Sequence, residues 1–157
     1  MKKVILVLVL AMMAFTAKAQ LYVGGGLSFI GNGAGASFTI APEVGYNIND
    51  NMAVGGSIGL GLESGETVLS VDPYFRFYFA EVGPVRFFGD AHFNLSNVWE
   101  TGEPTVTTWG IGVRPGLAVN LTDNWSIVAH VASLGYYRGT FGFTLNTGST
   151  LGVYYCF

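Results

Sequence analysis

The sequence predicts an all-β protein, a closed antiparallel up-and-down transmembrane β-barrel of eight strands. Three observations support this fold class. Apolar and polar residues alternate through most of the chain after residue 20, 50% of all residues are hydrophobic, and 11% are charged. Alternation with a period of two is typical of a strand with two different faces. A soluble domain usually carries about 25% charged residues, so the apolar face is expected to contact lipid.

Eight segments alternate in this way, with residues that favour turns between them. The predicted strands are residues 21–31, 36–48, 52–62, 67–79, 85–96, 105–121, 125–136 and 143–157. Tight turns are predicted at residues 49–51, 81–84 and 122–124, where Asn, Asp, Gly and Pro supply turn conformations. Longer or more polar connections are predicted near 32–35, 63–66, 97–104 and 137–142. A membrane strand needs about 9–11 residues, so ten strands remain an alternative.

The first 19 residues have the layout of a signal peptide. Lys2 and Lys3 precede an apolar run from Val4 to Phe15, and Ala17-Lys18-Ala19 resembles a cleavage site. We therefore expect residues 1–19 to be removed and residues 20–157 to form one barrel domain. Removal takes three of the seven basic residues and changes the formal net charge from −3 to −6. Nucleic acid is not an expected partner, because its recognition requires a basic surface.

An internal repeat indicates hairpins. Pro42, Pro73 and Pro115 each lie eight residues before an acidic residue in a predicted tight turn, and alternating residues fill the interval. The repeated unit is interpreted as a β-hairpin. Because proline removes a donor from the ladder between strands, each proline is expected to mark a bulge or a strand end.

The alternation also assigns the two faces of each strand. Phe75 and Val113 belong to the apolar face, which is expected to contact lipid, because Arg at the bilayer midplane costs about 2–4 kcal/mol. The opposite face carries charge and is expected to fill a narrow interior, in which opposite charges pair. The predicted interior charge cluster consists of Glu43, Asp72, Arg76, Arg86, Asp90, His92, Arg114 and His130. Many glycines share this face and would relieve crowding.

Aromatic residues concentrate toward the strand ends, where girdles of membrane barrels form. One girdle is predicted from Tyr46, Phe79, Phe87, Trp125, Tyr155 and Phe157. The other is predicted from Trp99, Trp109, Tyr136, Tyr137, Phe141 and Phe143.

With its hairpin layout, its proline–turn pattern and a final strand ending in Tyr155 and Phe157, the chain resembles small eight-stranded outer-membrane β-barrels of the OmpA/OmpX-like, porin-family type, as in Bacteroidetes-like bacteria. The resemblance implies Sec export, integral residence in the Gram-negative outer membrane, and contact with its lipids and lipopolysaccharide. It also implies insertion by the barrel-assembly machinery, with Tyr155 and Phe157 as the insertion signal. We expect a monomer.

Candidate chemistry is sparse. His92 and His130 are the two histidines and Cys156 is the single cysteine, and their spacing to other side chains predicts no metal site, cofactor site or catalytic triad. We therefore expect a structural or surface-interaction role, with an interior plugged by paired charges. The alternatives are a small-solute channel and, further off, a lipid-modifying barrel enzyme.

Overall fold

The computed structural model describes residues 20–32, 35–63, 66–100, 102, 104–137, 139–145 and 151–157. The predicted signal peptide, residues 1–19, lies outside this range. The described residues form ten strand segments connected by turns. The segments are β1 (Leu21–Asn32), β2 (Gly35–Asn49), β3 (Met52–Glu63), β4 (Glu66–Val82), β5 (Val85–Glu100), β6 (Val106–Asn120), β7 (Trp125–His130), β8 (Ala132–Tyr137), β9 (Thr140–Leu145) and β10 (Leu151–Cys156).

The ten segments make an eight-stranded closed barrel. Consecutive strands from β1 to β6 pair antiparallel, and both β7 and β8 pair with β6. Segment β9 pairs with β8, and β10 pairs with both β7 and β1, which closes the ring. The predicted fold class is therefore confirmed. The pairing of β1 with β10 joins the first and last strands, so these two strands are not edges available for edge-to-edge association where they pair.

The seventh barrel strand is broken at Val131, a break that the sequence analysis did not predict. His130 lies opposite Gly116, and Leu134 lies opposite Val113. Three residues therefore separate the two pairs on one strand, and two separate them on β6. One extra residue on one side is a β-bulge, which reverses the facing of the residues that follow.

The three repeated prolines have a common place in the barrel. Pro42, Pro73 and Pro115 lie directly opposite Gly25, Gly56 and Gly89 on the preceding strand. The prediction that each marks a bulge or a strand end is wrong for Pro42 and Pro73. Both lie inside continuous strands, and the register shifts of β2 and β4 occur nearer the turns.

Pro42 and Pro73 each interrupt the pairing of their strand with the strand that follows. The pairing of β2 with β3 omits Ala41 and Pro42, and that of β4 with β5 omits Asp72 and Pro73. The register is the same on both sides of each gap. A missing N–H donor explains the interruption without an inserted residue.

The two faces of the strands are as predicted. Phe75 is 40% exposed and Val113 is 50% exposed on the outside of the barrel, whereas Arg76 is 1% exposed inside it. Large apolar side chains project outward all around the barrel, and the buried residues are mainly aromatic or charged. The apolar surface therefore surrounds a polar interior, the reverse of a soluble protein.

Most of the predicted girdle residues project outward at one end or the other. Trp125, Tyr155 and Phe157 pack edge to face in succession, with ring centroids 5.0 Å apart in each pair. Trp109 packs on Phe93 and Tyr136 near the other end. Tyr137 is a correction, because the bulge at Val131 turns its side chain inward to His92.

One end of the barrel, called the turn end below, contains the connections at residues 50–51, 83–84 and 121–124 and both Gln20 and Phe157. At the opposite end, β1 and β2 pair up to Asn32 and Gly35, and β3 and β4 pair up to Glu63 and Glu66. Two residues separate the strands in each case. The connections at these two places are therefore no longer than the turns at residues 50–51 and 83–84, because the strands extend further than the alternation indicated. The connection at 63–66 is the more polar one, with Glu63 and Glu66 beside it.

Candidate functional site: the charge cluster inside the barrel

The centre of the interior is an ion pair between neighbouring strands. Arg76 on β4 and Asp90 on β5 lie directly opposite each other. Nε of Arg76 donates to Oδ1 of Asp90 at 2.7 Å, and Nη2 donates to Oδ2 at 2.9 Å. Nε2 of His130 lies 2.9 Å from the same Oδ2. Both partners are fully buried, and the two-point geometry is that of the strongest ion pairs.

Aromatic rings complete the surroundings of Arg76. The guanidinium carbon lies 4.1 Å from the ring centroid of Phe88 and 4.9 Å from that of Tyr74. A cation over an aromatic face is stabilised by the ring quadrupole, the more so away from water. Phe88 is fully buried, so its ring helps to keep the guanidinium of Arg76 out of contact with water.

A second group is centred on Asp72, nearer the opposite end. Nη2 of Arg114 donates to Oδ1 of Asp72 at 2.8 Å. Nδ1 of His92 lies 3.0 Å from Oδ2, and the amide of Asn94 donates to that oxygen at 3.2 Å. The other ring nitrogen of His92 lies 2.8 Å from the hydroxyl of Tyr137. Asp72 is thus a buried carboxylate with three hydrogen-bonding partners.

A third group is centred on Glu43. The hydroxyls of Tyr74 and Tyr154 donate to its two carboxylate oxygens, the latter at 2.7 Å. Tyr22 is hydrogen-bonded to Tyr74. Nη2 of Arg76 lies 3.7 Å from Glu43, so this group adjoins the Arg76–Asp90 pair.

Arg86 stands apart from these three groups. Its guanidinium lies at the turn end, where it pairs with Glu81 at 3.4 Å and donates to the backbone carbonyl of Asp50. It stacks on Tyr78 with 3.8 Å between the guanidinium carbon and the ring centroid. Of the eight residues predicted for the interior cluster, seven are brought together and Arg86 is not.

Sequence reasoning missed the aromatic members of the site. It assigned no role to Tyr74, Tyr22, Phe88 or Tyr154. Each of these rings lies opposite a glycine of the neighbouring strand. The pairs are Tyr22–Gly45, Tyr74–Gly55, Phe88–Gly116 and Tyr154–Gly24. An inward aromatic residue and an inward glycine in adjacent predicted strands is a signal that the sequence does contain.

Cavities lined by the described residues lie along the barrel. A cavity of about 490 Å³ opens at the turn end, and a second of about 50 Å³ shares Asn47, Arg86 and Asn120 with it. A third of about 90 Å³, the central cavity, is lined by Glu43, Arg114 and His130 among others. Tyr154 and Val128 line both the second and the central cavity and so lie between them.

Two further properties concern the described residues alone. Their His, Cys, Asp and Glu side chains include no group of three arranged to hold a metal ion. None of the described segments is a helix with the length and apolar character to cross a membrane.

Solved structures with the same fold are outer-membrane proteins. The N-terminal β-barrel domain of Pseudomonas aeruginosa OprF is similar with a TM-score of 0.61 and 18% identity, over 89% of this chain and 100% of that one. Neisserial surface protein A gives 0.52 and 18%, over 87% and 91%. The attachment invasion locus protein Ail of Yersinia pestis gives 0.52 and 16%, over 88% and 97%.

The sequence itself matches no protein-family model and no curated protein. The likeness to these solved structures is therefore one of fold, that of the small eight-stranded outer-membrane β-barrels.

Proposed function

We propose that this chain is an integral outer-membrane β-barrel with a structural or surface-interaction role, exported through the Sec pathway and surrounded by lipid and lipopolysaccharide. The observation that carries the proposal is the reversed polarity of the barrel. Phe75 and Val113 project outward, while the Arg76–Asp90 pair is buried inside. In water this arrangement would expose a continuous apolar belt, whereas in a bilayer it contacts hydrocarbon.

A closed interior is the second part of the proposal. The rings of Tyr22, Tyr74 and Tyr154 converge on Glu43, and the Arg76–Asp90 pair lies beside them. An eight-stranded barrel is just wide enough for side chains to fill. These side chains support a plugged interior that passes no solutes.

Localisation is tested on the full chain with its signal peptide. Expressed in a Gram-negative host, the protein should fractionate with outer membranes and run at different gel positions before and after boiling. Recovery as a soluble protein from the periplasm or cytoplasm would overturn the proposal.

A small-solute channel is the second candidate, favoured by the cavity of about 490 Å³ at the turn end. Conductance in planar bilayers separates the two. We expect the purified protein to give no stable openings above the background of detergent alone. Stable, large openings would contradict the closed interior and would show that the protein is a channel.

An enzymatic role is not proposed. Both ring nitrogens of His92 are engaged, Nδ1 with Asp72 and Nε2 with the hydroxyl of Tyr137, so neither is free to act as a general base. A lipid A profile that changes on expression of the chain, measured by mass spectrometry, would contradict this.

A further inference from the structure

The cavity at the turn end is a blind pocket of the size that a small ligand needs. It has a volume of about 490 Å³ and opens at the turn end. Its narrow continuation of about 50 Å³ is lined by Tyr22, Arg76 and Tyr154, which belong to the buried groups described above. Small-molecule sites have volumes of about 300–1,000 Å³. A ligand that enters from the turn end therefore stops at these side chains.

The side chains that line this cavity are all polar or charged. Four of them are carboxamides, those of Gln20, Asn47, Asn49 and Asn120. Hydrogen bonds within the described part of the chain leave the carboxamides of Gln20, Asn47 and Asn120 unused. A carboxamide has two N–H donors and one carbonyl acceptor. The lining therefore fits a ligand that both donates and accepts hydrogen bonds, and it excludes an apolar one.

The charged side chains of the lining are Asp50, Glu81 and Arg86. The guanidinium of Arg86 is held by Glu81 at 3.4 Å, by the backbone carbonyl of Asp50 and by the ring of Tyr78. It is therefore a fixed donor whose charge already has a partner. An anion in the cavity would also lie near two carboxylates, and a cation would lie near the guanidinium, so the charges favour a neutral ligand.

We propose that the turn-end cavity binds a neutral saccharide, either free or as part of a glycan. The hydroxyl groups of a sugar donate and accept hydrogen bonds, as every hydroxyl does. Asn47 lies on β2 and Asn120 ends β6, and these strands are four positions apart in the eight-stranded ring. Their carboxamides therefore approach a ligand from opposite sides of the barrel. The inference goes beyond the proposed function, because binding at one end requires neither a closed nor a conducting interior.

The first test is a saccharide titration of the isotope-labelled protein, followed by NMR. The detergent must lack a sugar headgroup, because such a headgroup would compete for the cavity. Maltose represents a free sugar, N,N′-diacetylchitobiose represents a glycan of acetylated amino sugars, and glucuronate is the anionic probe. At least one neutral disaccharide should shift the side-chain amide resonances of Asn47 and Asn120 in a saturable way. Because water competes for the same groups, we expect a Kd in the millimolar range.

The neutral probe that binds identifies the source of the saccharide. The absence of a saturable shift with both neutral disaccharides would overturn the inference, and so would binding of glucuronate as tight as that of the better neutral probe. Neither result bears on localisation, which the fractionation experiment measures by itself.

The second test uses a matched pair of variants to locate the ligand. Asn47→Ala removes from the cavity lining a carboxamide that holds no other part of the barrel, so the variant should fold normally. Asn97→Ala removes a carboxamide at the opposite end, where Asn97 accepts a hydrogen bond from Thr107. The Kd should rise about 2- to 10-fold for Asn47→Ala, as expected for one lost hydrogen bond, and stay unchanged for Asn97→Ala. An equal Kd for the two variants would contradict binding in this cavity.

Discussion

Tyr22 and Gly45 lie directly opposite each other on β1 and β2, and the tyrosine ring covers the glycine. A Cβ on Gly45 would overlap the ring. The hydroxyl of Tyr22 is held by Tyr74, so the ring cannot simply move away. Because Gly45 has no side chain, the ring of Tyr22 can occupy the space beside it.

Gly45→Ala is expected to destabilise the barrel. Overpacking a filled interior costs about 1–3 kcal/mol, and Tyr22 must give up its position or its hydrogen bond. Gly89→Ala is the control, since a Cβ there meets no atom within 4 Å. Urea unfolding in detergent micelles, followed by the heat-modifiable gel shift, measures both. Equal stabilities for the two variants would contradict the ring-over-glycine packing.

Asp90→Asn is expected to cost more. It removes the carboxylate that binds the fully buried guanidinium of Arg76 at two points and leaves Glu43, 3.7 Å away, as its charged partner. Breaking a buried pair in this way costs about 3–5 kcal/mol. Glu81→Gln removes the partner of the part-exposed Arg86 and should cost about 0–1 kcal/mol. The same unfolding measurement applies. A cost for Asp90→Asn no greater than for Glu81→Gln would mean that the interior pair is hydrated and weak.

The lipid-facing surface is tested by adding charge to it. Phe75 lies near the middle of β4 and is exposed. Phe75→Arg should lower the stability of the barrel folded into vesicles by about 2–4 kcal/mol, as Arg does at the bilayer midplane. Leu121→Arg, at the turn end, should cost about 0–1 kcal/mol because it lies near the interface. A soluble barrel would show no such difference between the two positions.

The C-terminal aromatic residue is expected to act during insertion. Phe157 lies next to Tyr155 and donates its backbone N–H to Leu21 across the barrel seam. Phe157→Ala should reduce the fraction of heat-modifiable protein recovered from outer membranes. Phe141→Ala, an equally outward aromatic on β9, should leave that fraction unchanged. Purified protein should refold into vesicles with a similar yield for both variants. A lower refolding yield for Phe157→Ala would show that the substitution reduces stability and not insertion.

Much of this fold could be predicted from the sequence, because the facing of a strand residue depends on a period of two. That period placed Arg76, Asp90 and Glu43 inside and Phe75 outside. It failed at Tyr137, because the bulge at Val131 shifts the period by one. The bulged strand itself has no proline or glycine at that point, although Pro115 lies opposite on β6, where its carbonyl accepts a hydrogen bond from the N–H of Val131.

The pairing of charges needed information that the sequence does not contain. Arg76 meets Asp90 because β4 and β5 are in the register that places them opposite each other. The alternation also assigns Arg86 to the inward face, but Arg86 lies too near the turn end to reach the cluster. Its position along β5 therefore decides that its partner is Glu81. The tyrosine groups were missed because hydroxyl contacts such as Tyr154 to Glu43 join strands distant in sequence.

Pro73 leaves the backbone of β4 unconnected to β5 beside Asp72. At that place the carboxylate of Asp72 binds Asn94 and His92, both on β5. Side-chain hydrogen bonds therefore connect β4 and β5 at the place where their backbones are not paired. If the hydrogen bonds of Asp72 are removed, the backbone amides of β4 and β5 around Asp72 should be the first in the barrel to exchange with solvent. The polar interior therefore also determines where the two strands begin to separate.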